Sequence, residues 1–326
     1  MNLRYVLGRG IAPVIACLAV LPANATDIIT WGQNALEWNA LLGTSAIRSG
    51  CAQPPATCMA LADRLAQLQG VDRIFLAPVA PYALNTPEIA AEYSKLSLSH
   101  PVVSELGIDD FVSTYYNLYK SQPGQNSDQV INNVIDSLKS YNPSLKFGIT
   151  VYEDQLGSPY IGDSKLSPSV RAKIDVVHLY LHFRYNAYGY SGYVAQAKQI
   201  FPNARIVAGS YAYDRIDYIV CSEGGTVHCS KEEELYLYRV SLQIQLHLLR
   251  SGAIEGLEFE PGSFGKEDSL FISSNPAICQ PARQAECTSN TKNLRQVLLD
   301  ELSNMGRRAP PGRPRKRIDQ DPIKER

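Results

Sequence analysis

The sequence predicts an α/β fold: a single-domain (β/α)8 barrel of TIM type with local disulfides, allowing for an irregular or incomplete strand. Three observations predict it. Short apolar segments rich in β-branched and aromatic residues alternate with amphipathic helical patterns, which is the signature of βα units on a parallel sheet. Helical patterns pass by short turns (Gln69-Gly70, Asn142-Pro143-Ser144, Pro202-Asn203, Ser251-Gly252) into the next strand. The stretch 26–306 suits the ~250 residues typical of such barrels. The rival doubly wound sheet lacks its usual sign, because no G-x-G-x-x-G follows the first strand.

The elements run in this order. Asp27–Trp31 (DIITW) is the first strand and Asp72–Val79 (DRIFLAPV) the next clear one. The stretch Pro101–Tyr119 is ambiguous, with a strand placed near Phe111–Tyr115. Leu145–Tyr152 (LKFGITVY), Ile174–Phe183 (IDVVHLYLHF), Ala204–Tyr213 (ARIVAGSYAY) and Ile254–Glu260 (IEGLEFE) follow. Leu270–Ser273 is the candidate eighth strand. Helical patterns fall at Cys58–Gln69, Ser127–Tyr141, Tyr193–Phe201, Glu232–Arg250 and Asn293–Met305.

The N-terminus predicts export. Arg4 and Arg9 precede the short apolar run Ile11 to Leu21, and Pro22-Ala23-Asn24-Ala25 offers an A-x-A cleavage site. The expected mature start is Thr26, in the periplasm or outside the cell. An uncleaved anchor is the alternative, for which the run is short. The segment 307–326 is proline-rich and carries eight Arg/Lys against three Asp/Glu. It predicts a disordered basic tail, either solvated or in contact with an anionic polymer or surface. A formal net charge of −1 over the whole chain gives no reason to expect nucleic acid.

Of seven cysteines, Cys17 falls in the leader. The other six form three close couples: Cys51/Cys58, Cys221/Cys229 and Cys279/Cys287. In an exported chain they predict three local disulfides. None has the C-x2–4-C spacing of a zinc site. His178 and His182 stand four apart on a strand, roughly 13 Å, too far to share one metal. No metal and no cofactor is expected. No G-x-S-x-G elbow is present either.

Strand parity sorts the side chains. Val177, Leu179, Leu181 and Phe183 form an apolar face toward the helices, while His178, Tyr180, His182 and Arg184 point inward. Leu257 and Phe259 face out; Glu258 and Glu260 face in. Phe147, Ile149 and Val151 face out and Thr150 and Tyr152 in, with Glu153 and Asp154 at the strand's exit. In a barrel both acidic clusters then lie on the C-terminal rim, where sites of this fold sit. Two opposed carboxyl groups are what glycosidic cleavage needs, one as proton donor and one as nucleophile or base.

This pattern resembles secreted (β/α)8-barrel glycoside hydrolases at the level of architecture. In the large clan with acids at the ends of strands four and seven, Leu145–Tyr152 counts as strand four and Ile254–Glu260 as strand seven. The resemblance then implies Glu153 as acid/base and Glu258 or Glu260 as its partner. The clan's Asn-Glu pair is absent, since Tyr152 precedes Glu153. Structural salt bridges are the competing role for these acids.

With 19 Tyr, 8 Phe and 2 Trp, aromatic residues are dense at the predicted strand ends. Trp31, Tyr152, Asp154, Tyr180, His182, Arg184, Tyr211, Tyr213 and Asp214 are the expected substrate-binding set, because aromatic faces pack on sugars while hydroxyls and charges orient them. The expected partner is a polysaccharide or oligosaccharide. Two further readings stand beside hydrolysis: a non-catalytic carbohydrate-binding barrel, and a surface-assembly protein docked by its tail.

Overall fold

The computed structural model describes residues 27–32, 42–114, 127–157, 166–211, 230–260 and 284–304. Eight parallel strands close into a barrel: β1 (Asp27–Trp31), β2 (Ala46–Cys51), β3 (Arg73–Pro78), β4 (Val103–Ile108), β5 (Lys146–Tyr152), β6 (Val176–Tyr180), β7 (Arg205–Tyr211) and β8 (Gly256–Glu260). The flanking helices are α1 (Pro55–Leu65), α2 (Pro87–Ser97), α3 (Ser127–Leu138), the short α4 (Pro168–Arg171), α5 (Tyr190–Ile200), α6 (Lys231–Arg250) and α7 (Gln284–Ser303).

The strand count corrects the sequence reading. Ala46–Cys51 is a strand that the sequence reading passed over, and the ambiguous stretch holds its strand at Val103–Ile108, ahead of Phe111. The strand at 145–152 is therefore the fifth and the one ending at Glu260 the eighth. β8 pairs with β1 and completes the barrel, so Leu270–Ser273, outside the described residues, is not needed for closure. The physical reason is the same for both unrecognised strands. Their inward positions carry Arg48 and Gly50, or Glu105 and Gly107, so half of each strand lacks β-branched or aromatic residues.

The two faces of each strand are sorted as parity predicts. Phe147, Ile149, Val151, Val177, Leu179, Leu257 and Phe259 all join the apolar layer between barrel and helices. Inside, three layers stack along the axis. At the N-terminal end Asp27 pairs with Arg73 at 2.5 Å and Arg205 at 2.7 Å. Above it Ile29, Ala46, Phe75, Val176 and Val207 form a small apolar plug. The third layer is charged, and it forms the base of the site.

Glycines make room for that layer. A Cβ on Gly148 would meet the Glu105 carboxylate at 2.0 Å, and one on Gly209 would meet the Tyr180 ring at 2.1 Å. Bare backbone on β5 and β7 thus lets long side chains of neighbouring strands lie across the axis. Cys51 and Cys58 are joined in a disulfide that ties the end of β2 to α1. Cys221, Cys229 and Cys279 lie outside the described residues; Cys287 falls in α7, where its side chain is not described.

Candidate active site at the barrel mouth

Arg48, Glu105, His178 and Glu258 fill the middle of the barrel. Arg48 Nη1 donates to Glu258 Oε1 at 3.1 Å and Nη2 to Thr150 Oγ1 at 2.6 Å. Thr150 in turn donates to Asp109 Oδ1 at 2.8 Å, which lies 3.8 Å from Arg48 Nη2. His178 bridges two carboxylates: Nε2 lies 2.8 Å from Glu105 Oε1, and Nδ1 makes a 2.6 Å ion-pair contact with Glu258 Oε2. Tyr180 donates to Glu258 Oε1 at 2.5 Å. The Arg48 guanidinium also lies 4.5 Å from the centre of the Trp31 ring.

Electrostatics follow from these partners. Burial pushes the Glu258 carboxyl up, but His178, Arg48 and the Tyr180 hydroxyl outweigh it and hold the pKa at about 2. Glu258 is an anion. Burial and Arg48 favour a neutral His178, yet Glu258 and Glu105 outweigh them and raise its proton affinity. Asp109 behaves oppositely to Glu258: burial raises its pKa, with Arg48 opposing and Asp110 adding to the rise. Its side chain remains 36% exposed.

A second hydrogen-bonded ring lies nearer the rim. Tyr152 donates to Asp110 Oδ1 at 2.7 Å and lies 2.8 Å from the Tyr211 hydroxyl. Since its one proton goes to Asp110, Tyr211 donates to Tyr152. Burial pushes the Tyr152 and Tyr180 hydroxyls far up, so both remain neutral donors. Asp110 holds φ at +47°, a left-handed conformation that Asp tolerates better than most residues.

Each expected site residue has a definite place. Glu258 is fully enclosed, while Glu260, at the strand's end, is half-buried. Glu153, at the exit of β5, is buried and accepts the backbone N–H of His182 at 2.7 Å, that of Phe183 at 3.1 Å and Asn186 Nδ2 at 2.8 Å. Its carboxylate organises the segment after β6 and does not project into the mouth as a free acid. Asp154 lies 3.1 Å from His182 Nδ1, and His182 stacks on Tyr152 at 3.6 Å between ring centroids. Arg184 departs from the inward parity because β6 ends at Tyr180. Its guanidinium turns under the following 3-10 turn (Arg184–Gly189) to Glu234 and to the Tyr211 carbonyl. Tyr213 and Asp214 lie outside the described residues.

The sequence reading missed Arg48, Glu105, Asp109 and Asp110. A signal for the last two was present: Asp109-Asp110 follows the alternating apolar pair Leu106 and Ile108, as Glu153-Asp154 follows Ile149 and Val151. Among the described residues no group of three His, Cys, Asp or Glu side chains is arranged to hold a metal ion. No described helix is long and apolar enough to cross a membrane.

No family model matches the chain, and no curated protein matches its sequence. Solved barrels do match its fold. A GH10 structure from Paenibacillus barcinonensis aligns with a TM-score of 0.53 at 13% identity, covering 78% of this chain and 88% of that one. The active domain 2 of a thermostable chitinase from Pyrococcus furiosus aligns at 0.47 and 13% identity, covering 84% and 97%. A β-D-glucuronidase of Dictyoglomus thermophilum aligns at 0.44 and 11%, covering 72% of this chain, which spans only 43% of that protein. The first alignment places the chain among (β/α)8 barrels; at 13% identity it speaks to fold alone.

Proposed function

We propose that this chain is an exported hydrolase of glycosidic bonds. One observation carries the reading. β4 and β8 stand opposite each other in the closed barrel, and they bring Asp109 and Glu258 to the same guanidinium, one carboxyl with its proton affinity raised and the other lowered. Two acids driven apart in this way fit the roles of proton donor and anion.

Asp109 protonates the leaving oxygen as the glycosidic C–O bond breaks, while a water molecule, losing its proton to Glu260, forms the new bond to the anomeric carbon. This moves the acid role from Glu153, whose carboxylate is saturated with N–H donors, to the end of β4. Glu258 is a fixed negative charge beneath the anomeric carbon, where positive charge develops. Glu260, two residues nearer the rim on the same face, is the carboxylate of β8 that meets the substrate. Trp31, Tyr152, Tyr211, His182 and Asp154 orient the sugar. Export is supported by the leader-like N-terminus and by the Cys51–Cys58 disulfide.

The complete enclosure of Glu258 favours a second reading, a barrel that binds carbohydrate without cleaving it. Release of reducing ends from a panel of polysaccharides separates the two. Product that disappears in Asp109→Asn supports the hydrolase. Saturable binding with no product supports the binder.

A further inference from the structure

An unbroken series of ring contacts leaves the barrel mouth. Tyr211 lies 4.9 Å from Tyr180, and Tyr180 lies 6.4 Å from Tyr152. Tyr152 stacks on His182 at 3.6 Å; His182 lies 5.8 Å from Phe183; Phe183 stacks on Tyr185 at 5.5 Å with 24° between planes. His182, Phe183 and Tyr185 are half-buried, so each ring keeps part of its surface open to solvent. The series starts over the charged layer and ends at the half-buried Tyr185, in the 3-10 turn between β6 and α5.

The backbone that carries the outer rings is fixed in advance. Glu153 holds the backbone of His182 and Phe183 and the Asn186 amide. Tyr190 donates to the Leu179 carbonyl at 2.6 Å. Arg184, between Phe183 and Tyr185 in sequence, is anchored to Glu234 and to Tyr211. Rings held this way lose little freedom when a ligand arrives.

Charge narrows the ligand. Among the described residues, Asp109, Asp110 and Asp154 face solvent at the mouth, whereas Arg48 and Arg184 are buried and paired. Aromatic platforms for single-stranded nucleic acid come with a cationic groove for the phosphates, and an acidic mouth repels such a polymer. A pyranose ring presents an apolar C–H face to an aromatic plane and needs no cation.

We infer that the mouth extends into an aromatic track, through His182, Phe183 and Tyr185, that binds a glycan chain of several sugars lacking anionic groups. The inference rests on the carbohydrate reading of the site but not on catalysis. It makes a polymer, not a single glycoside, the ligand, and it gives Glu153 a purpose as the positioning residue of the track.

Native electrophoresis through gels containing a dissolved polysaccharide tests it. The probes are neutral β-glucan, xylan and mannan, cationic chitosan and anionic polygalacturonate. At least one neutral or cationic polymer is expected to retard the wild-type protein, and polygalacturonate is not. Phe183→Ala/Tyr185→Ala is expected to weaken that retardation about tenfold, the loss of about one aromatic contact's worth of binding. Should the double variant fail to fold by circular dichroism, Phe183→Leu keeps the apolar volume without the flat face and is expected to weaken retardation as well. Tyr185→Phe is expected to retain it. Wild-type protein retarded by no polymer, or only by polygalacturonate, overturns the inference, as does equal retardation of the Phe183 variants. Retardation that depends on these rings without any product release leaves the track standing and removes the hydrolase reading.

Discussion

Arg48 on β2 donates to Glu258 on β8 at 3.1 Å, joining two fully buried side chains 210 residues apart in sequence. Both are closed off from bulk solvent, so each depends on the other and on His178, Thr150 and Tyr180. Removing one partner strands the rest. Arg48→Met is expected to destabilise the fold by about 3–5 kcal/mol, read from urea midpoints. Combining it with Glu258→Gln is expected to cost much less than the sum of the two single changes. Additive costs in that cycle contradict a coupled pair.

The same network sets a pH window for stability. The folded pKa of Glu258, about 2, lies below its ordinary 4.5. Its contribution is present above the unfolded value and lost as pH falls from about 4.5 toward 2, on the order of 3 kcal/mol. The folded pKa of His178 is raised from 6.5. Its contribution is complete below 6.5 and is lost as pH rises through the folded value. Thermal unfolding is therefore expected to peak on the acid side of neutrality. In His178→Gln the alkaline decline is expected to flatten while the acid decline persists; an unchanged alkaline limb counts against His178 as its source.

Glu153 is expected to matter through the loop it holds. Glu153→Ala leaves three donors without their acceptor and is expected to cost about 3 kcal/mol, with faster amide exchange at His182 and Phe183. Glu153→Gln keeps one acceptor oxygen and is expected to recover part of the loss. If Glu153 were instead the proton donor, both variants would abolish turnover while amide exchange stayed at wild-type rates.

The Cys51–Cys58 link closes a loop of sequence separation 7. Cys51→Ser is expected to lower stability by about 2–3 kcal/mol through the larger freedom of the unfolded chain. A reductant is expected to lower the melting temperature of the wild type by more than that of the variant.

Much of the barrel was legible because the outer faces of β5, β6 and β8 are apolar. Phe147, Ile149 and Val151 and their counterparts Val177, Leu179, Leu257 and Phe259 announce strands whatever lies inside. The interior was legible only where large residues alternate with these, as at His178, Tyr180 and Glu258. Arg48 and Glu105 were not, since a charge and a glycine at the inward positions of one short strand displace the β-branched and aromatic residues that mark a strand. Passing over β2 shifted the strand count by one and drew the acid role toward Glu153. Parity could not reveal the fate of Glu153, because its partners are backbone N–H groups brought back only by the turn after β6. Arg184 escaped for the same reason: once β6 ends at Tyr180, alternation no longer fixes direction.

The hydrolase reading turns on whether Asp109 delivers a proton. Reducing-end release should be measured on the polysaccharide that binds most tightly, with wild type and Asp109→Asn side by side and their melting curves as control. The account predicts measurable release by the wild type, falling by at least about a hundredfold in a folded Asp109→Asn, with the wild-type rate declining as pH rises past the raised pKa of Asp109. Release that is equal in the two proteins, or absent from the wild type under saturating polymer, contradicts it.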